Sequence, residues 1–186
     1  MEDTKEILQL VEGCLKGQRS AQNKLYLRYY NFAMGIALRY SVDREEALEI
    51  VNDGFMKVFD KLSQFNPDLS FMGWLRAIIV NSAIDYYRKS KRHKNNVSIS
   101  HLNESIVENH ILDNMAAEEI ISYIQLLPTS YRVVFNLYVI EGYKHKEIAN
   151  LMGITEGTCR SNLAVARAKL QAIILSQQNT NLKIHG

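Results

Sequence analysis

The sequence predicts an all-α protein made of two small helical domains joined by a flexible acidic linker. Three observations carry that reading. Apolar residues recur every three and four positions through most of the 186 residues, and no run alternates at period two for long enough to build a sheet. Only 2 Pro are present, which leaves room for long helices. The stretch 93–116 breaks the pattern: it is rich in Asn, Ser, Glu and His and holds few periodic apolar positions. At 47% hydrophobic and 23% charged, the chain can bury a core without staples, which excludes disordered, collagenous and low-complexity classes. Its two cysteines, Cys14 and Cys159, exclude a disulfide scaffold, and no C-x-x-C spacing points to zinc or dithiol chemistry.

Taken in order, the N-terminal domain spans 1–92. Ile7, Leu8, Val11 and Leu15 give a short first helix that breaks near Gly17. Ser20 is the expected N-cap of a second, with Leu25, Tyr29, Phe32, Ile36 and Tyr40 on one stripe. Asp43 caps a third, whose apolar face is Leu48, Val51, Phe55, Phe59 and Leu62. Asn66-Pro67-Asp68 signals a turn. A fourth helix runs from about Phe71 to Arg92, with Trp74, Leu75, Ile78, Ile79, Ala83 and Tyr86 inside.

After the linker, 93–116, a second domain spans 117–178, and the residues 179–186 form a tail expected to fray. Ile120, Ile121, Ile124 and Leu127 mark its first helix, which Pro128 ends. Val133, Val134, Leu137 and Tyr138 mark the next, which Gly142 stops. Lys144 to Leu170 is the most specific stretch. Ile148 and Ala149 face inward, Ala149 being small where a second helix crosses. Gly153 supplies a left-handed residue after Met152. Ile154 fills the gap, Thr155 N-caps the next helix, and Glu156 lies in its first turn, where the dipole favours an acid. Cys159, Leu163 and Ala166 point to the core. Thr158, Arg160, Ser161, Asn162, Arg167 and Lys169 are left on or near the outside. This is the pattern of a helix-turn-helix whose second helix enters the major groove by its N-terminal part.

Charge is segregated. The net charge of +2 divides into −2 over residues 1–75, +5 over 76–94, −5 over 95–125 and +4 over 126–186. Two basic segments on helices, flanking an acidic one, point to a polyanionic partner. Met1 to Glu6 is acidic and polar, so no secretory signal is expected. The stretch Phe71 to Tyr87 is too short and too polar to span a bilayer. The expectation is a soluble cytoplasmic protein without direct membrane insertion.

The motifs resemble the extracytoplasmic-function (ECF) family of bacterial RNA polymerase sigma factors, over about residues 10–172. Leu127-Pro128 through Glu141-Gly142-Tyr143, then Glu147-Ile148-Ala149, Gly153-Ile154, Glu156-Gly157-Thr158, Ser161 and Ala166-Arg167, are similar to that family's region four. Asp43 to Phe59, then Trp74-Leu75, Asn81 and Asp85-Tyr86-Tyr87-Arg88, are similar to its region two. The resemblance implies a factor that binds core RNA polymerase, directs it to a promoter and opens the minus-ten element. The region-two bundle would contact the polymerase through Glu49, Asn52, Asp53, Phe55, Met56 and Phe59. It would contact minus-ten DNA through Phe65, Asn66 and Ser70 of the loop, Asn81 and Asp85 farther along, and Tyr87, Arg88, Lys89, Lys91 and Arg92 at the basic end of the fourth helix. Thr158, Arg160, Ser161, Asn162, Arg167 and Lys169 would contact the minus-thirty-five element. An anti-sigma factor is a further expected partner.

The residues speak to these roles independently. Glu45, Glu49 and Asp53 stand at i, i+4 and i+8, where like charges repel, so either a basic partner or plain solvation explains them. Basic residues beside Tyr86 and Tyr87 suit an unpaired strand, whose bases stack on rings at about 1–3 kcal/mol each; Tyr87 is the better candidate, since Tyr86 and Trp74 lean toward the core. The family usually has Gln-Glu-Val where this chain has Asn52-Asp53-Gly54, and Gly54 costs roughly 1 kcal/mol of helix propensity against Ala with no evident return. It often has Val at Cys159 and Arg at Asn162, so the upstream DNA sequence read here is open. The acidic linker could thread basic channels of the polymerase or serve as a plain tether.

Two other classes compete: an operator-binding regulator using the same helix-turn-helix with a ligand-sensing N-terminal domain, and a helical interaction module without a DNA role. No enzyme is expected. The five His are scattered, and no H-E-x-x-H, P-loop or G-x-S-x-G is present. No metal, cofactor or small-molecule substrate is expected either.

Overall fold

The computed structural model describes residues 4–96 and 115–184, with side chains described for 5–92 and 119–176. Helices α1 (Thr4–Leu15), α2 (Arg19–Ala37), α3 (Arg44–Lys61) and α4 (Phe71–Asn96) form one compact unit, with a 3-10 turn at Leu62–Gln64 after α3. Helices α5 (Met115–Gln125), α6 (Thr129–Phe135), α7 (His145–Met152) and α8 (Glu156–Ile184) form a second, which also takes in the segment 38–43. A π-helical turn, Asn136–Ile140, continues α6. Among the described residues there is no strand. The all-α, two-part architecture is as expected.

The core of the first unit follows the helical period. Leu25 and Tyr29 of α2, Ile50, Val51, Phe55 and Val58 of α3, and Phe71, Leu75 and Ile79 of α4 are buried. Burying each large side chain stabilises the fold by about 1.5–3 kcal/mol. At one end Tyr29, Phe65 and Trp74 surround Phe71, with ring centroids 5.0, 5.3 and 5.6 Å away. Gly54 has its explanation here. A Cβ at this position would fall on Ile79 Cδ1, well inside contact distance, with Ser82 Oγ 3.7 Å away. Lacking a side chain, Gly54 lets α3 and α4 approach, and that close packing offsets its poor helix propensity.

Several element-level expectations are corrected. Helix α2 starts at Arg19, so Ser20 is its second residue; the carbonyl of Gln18 accepts from Ala21 and Gln22 N–H. Leu15, Leu48 and Ile120 are exposed, and Leu8, Phe32, Trp74, Tyr86, Ile121 and Tyr138 are half-buried. Their stripes have the right period, but each unit is too small to cover a whole apolar face. Helix α4 runs to Asn96 and α5 begins at Met115, so both ends of the expected linker are helical, and its middle lies outside the described residues. The tail expected to fray continues α8 to Ile184, because neither Gly nor Pro interrupts the chain before Gly186.

In the second unit Ile124 and Leu127, Val133, Val134 and Leu137, Ile148, Ala149 and Met152, and Cys159, Leu163 and Ala166 make a common core. Arg132 is buried among them, and its Nε and Nη2 donate to the Leu127 carbonyl at 3.2 and 3.0 Å. That satisfies donors which would otherwise cost several kcal/mol to bury.

Candidate functional site

The helix-turn-helix forms as its residues dictate. The backbone N–H of Lys144 donates to Glu147 Oε2 at 2.7 Å, closing the first turn of α7. Gly153 ends α7 in the left-handed region at φ 62°. Thr155 Oγ1 accepts from Thr158 N–H at 3.0 Å, the expected N-cap of α8. With Cys159, Leu163 and Ala166 buried, the outer face of α8 shows Thr158, Arg160, Ser161, Arg167 and Lys169, all exposed, and Asn162, half-buried.

Two of those cations are held. Arg160 Nη2 lies 2.5 Å from Glu156 Oε1, one turn away. That hydrogen bond and charge hold the Glu156 carboxyl below its usual range and push the Arg160 guanidinium up. The Arg167 guanidinium lies 5.7 Å from the centroid of the Tyr138 ring, and Tyr138 stacks on His145 at 4.4 Å and 20°. Burial pushes the Cys159 thiol up and keeps it an inert core group; its Sγ lies 3.5 Å from His145 Nδ1.

In the first unit the residues expected on the α3 surface divide. Glu49, Asn52, Asp53 and Met56 are exposed, and Asn52 Oδ1 accepts from Tyr26 Oη at 3.2 Å. Phe59 is half-buried. Phe55, expected on that surface, is buried with its ring 4.7 Å from Tyr26, so it shapes the surface from beneath. Its neighbours at i−3 and i+1 face outward while its own position faces α2, as helical geometry requires.

The loop before α4 divides likewise. Phe65 is buried against Phe71 and Trp74, at 5.3 Å from each, which corrects its place among DNA-facing residues. Asn66 Oδ1 accepts from Asp68 N–H at 3.0 Å, an Asx turn, and Ser70 Oγ accepts from Gly73 N–H at 3.3 Å at the start of α4. Both are exposed, as is Asn81. Asp85 is exposed too, but it is tied to α3 by Lys57 Nζ at 2.8 Å. Lys89, Lys91 and Arg92 are exposed at the basic end; Arg88 and Tyr87 are half-buried, and burial pushes the Tyr87 phenol up. Tyr86 is half-buried as well, so burial does not separate the two tyrosines.

Sequence reasoning missed Glu156, Tyr138 and His145 as supports of the α8 cations, and Lys57 as the partner of Asp85. The Glu156–Arg160 spacing of four was a visible signal. The others are contacts between helices and had none. Among the described residues no three or more His, Cys, Asp or Glu come together to hold a metal, and no helix is long and apolar enough to cross a membrane.

A helix-turn-helix with an open basic face, on one of two small helical units, defines the class as a DNA-binding helical factor. Residues 25–93 match the family Sigma-70 region 2, and residues 117–170 match Sigma-70, region 4. The chain is 31% identical over 170 residues to the ECF RNA polymerase sigma-E factor of Escherichia coli strain K12, covering 85% of this chain and 88% of that protein. It is 29% identical over 174 residues to the protein of that name in Haemophilus influenzae, covering 87% and 92%. It is 28% identical over 171 residues to the RNA polymerase sigma-H factor of Pseudomonas aeruginosa, covering 86% and 89%. Among solved structures it is similar to CnrH, in a complex with the cytosolic domain of CnrY, at TM-score 0.47 and 23% identity over 94% of this chain and 99% of that one.

The chain belongs to the ECF family of RNA polymerase sigma factors and is a polymerase-associated transcription initiation factor. The operator-binding alternative falls, because its N-terminal domain would be a ligand sensor and here that domain is sigma region 2.

Proposed function

We infer that this factor binds core RNA polymerase through the α3 surface, directs it to specific promoters, and helps open the minus-ten element. The observation that carries the reading is the exposed basic face of α8 in the same chain as a region-2 bundle. Glu49, Asn52, Asp53 and Met56 supply an acidic, partly apolar patch suited to a basic partner surface, with half-buried Phe59 at its edge. Asn66, Ser70 and Asn81 offer polar groups to an unpaired base, and the Lys89, Lys91 and Arg92 cations attract phosphates. Flipping a base costs a few kcal/mol, which such a surface offsets by binding the extruded form. Region four fixes the register upstream, with Thr158, Arg160, Ser161, Asn162, Arg167 and Lys169 facing the groove or its phosphates.

On this reading the chain carries no catalytic group of its own; the polymerase supplies the chemistry. It works in the cytoplasm, with an anti-sigma factor to restrain it. The deciding experiment is transcription reconstituted from core polymerase and the purified chain on genomic DNA, with start sites mapped. Discrete new start sites sharing upstream and downstream elements are expected. Failure to associate with core polymerase, or no new transcripts, overturns the reading.

A further inference from the structure

Residues 126–186 carry a net charge of +4, with seven Lys/Arg and three acids, Glu141, Glu147 and Glu156. Glu147 serves α7, accepting the Lys144 backbone N–H. Glu141 lies 3.6 Å from an Arg39 guanidinium nitrogen and is largely buried. Glu156 alone lies on the outer face of the recognition helix. There, in the first turn of α8, a carboxylate would repel the DNA backbone. Its side chain is 43% exposed, and its Oε1 meets an Arg160 side chain that is 66% exposed, at 2.5 Å.

An exposed pair of this kind adds little to stability. Its effect on DNA binding is larger in principle, because it changes what Arg160 can do. An unpaired arginine at a groove edge swings to the nearest phosphate and adds attraction blind to sequence. A guanidinium has five N–H donors in a fixed fork, so one can remain on Glu156 while two others face a base. The paired group is then nearly neutral toward phosphates but still able to donate a bidentate pair to guanine O6 and N7.

We propose that Glu156 is a specificity-determining positioning residue: it holds Arg160 away from the phosphates and aims it at a guanine of the upstream promoter element. The inference rests on the promoter-binding reading above and adds to it a residue that faces DNA without attracting it. Glu156 acts through Arg160, so the two substitutions are coupled.

The test uses holoenzyme assembled from core polymerase and full-length Glu156→Gln, Arg160→Ala or double-variant chains. The probe is a duplex promoter mapped with the wild-type holoenzyme, together with the set in which each upstream base pair is replaced in turn. Glu156→Gln should bind upstream-scrambled duplex more tightly and steepen the salt dependence by about one phosphate contact. Its preference for one G·C pair should fall by about five- to hundredfold, the range for losing a bidentate base contact. The double variant should match Arg160→Ala. Far-UV circular dichroism should be the same for all chains, which a merely structural role for Glu156 would not give alongside lost preference. A base-preference profile for Glu156→Gln identical to wild type overturns the proposal while leaving the initiation-factor reading intact. A wild-type holoenzyme that initiates nowhere overturns both.

Discussion

The contact between Gly54 and Ile79 makes a quantitative prediction about the first unit. Adding a methyl at Gly54 recovers about 1 kcal/mol of helix propensity. The new Cβ, however, falls on Ile79 Cδ1, while Ile79 Cγ1 at 3.6 Å and Ser82 Oγ at 3.7 Å remain ordinary neighbours. The clash is therefore with a single methyl group. Ile79 is fully buried, so moving it strains the α3–α4 packing, at a cost of about 1–3 kcal/mol. Gly54→Ala alone should change stability by between nothing and about 2 kcal/mol of loss, once propensity is set against strain. Ile79→Val removes the clashing Cδ1 and leaves a small void, costing about 0.5–1.5 kcal/mol. In the double variant the alanine methyl occupies that void. It should be at least as stable as Ile79→Val alone, with a favourable coupling of about 1–3 kcal/mol. Urea unfolding followed by fluorescence reads this directly, since Trp74 is the chain's single tryptophan and sits on α4 in the same unit. Additivity of the two substitutions within about 0.5 kcal/mol would refute the close-approach account of Gly54.

Three further outcomes are expected. Thr155→Ala removes the acceptor for Thr158 N–H and should destabilise the second unit by about 1 kcal/mol in a circular-dichroism melt, with Thr155→Ser close to wild type. Lys91→Ala should weaken holoenzyme binding to matched and scrambled promoters alike and reduce the salt slope by about one, whereas Arg160→Ala should relax upstream sequence preference; equal effects of both variants on both promoters would contradict the assignment. The Glu156 carboxyl, lowered in the folded chain by its bond to Arg160, should titrate below its ordinary 4.5 in an NMR titration and return toward it in Arg160→Ala. The sign follows: the pair's small contribution is complete above the unfolded value and is lost as pH falls through the folded one.

The helices and the helix-turn-helix were legible because their signals are local. Thr155, Gly153 and the inward set Cys159, Leu163 and Ala166 each act within a few residues of their own position. Placing individual side chains in the site depends on what packs against them. Phe55 and Phe65 carry the right residue type at motif positions, yet α2 covers the first, and Phe71 with Trp74 covers the second. No single-helix pattern reveals which side of an aromatic residue a neighbouring helix will take. The same holds for Gly54, which reads as a defect in α3 alone and as a fitting part once Ile79 of α4 is beside it. Leu48 and Met56 show the converse: both are apolar residues on α3, and both stay exposed because no element among the described residues covers them.

The way each unit holds its cations suggests a division of labour in DNA binding. At the end of α4, Lys89, Lys91 and Arg92 are exposed, and the one acid in residues 76–94, Asp85, is bound to Lys57 of α3. Lys57 thereby offsets the charge of that carboxylate toward a phosphate approaching the helix, and the flexible Lys89 and Lys91 ammonium groups act as point charges that favour any sequence. On α8 the arrangement is the reverse. Arg160 is bound to Glu156 and Arg167 rests on Tyr138, so both planar groups are oriented before DNA arrives and less rotamer freedom is lost on contact. Electrostatic attraction should therefore come mainly from the first unit and upstream sequence preference mainly from the second. Lys57→Met tests the first half: with Asp85 left uncompensated, holoenzyme affinity should fall for every promoter, without a change in base preference, and Asp85→Asn should restore it. Loss of preference in Lys57→Met at unchanged affinity would contradict the division.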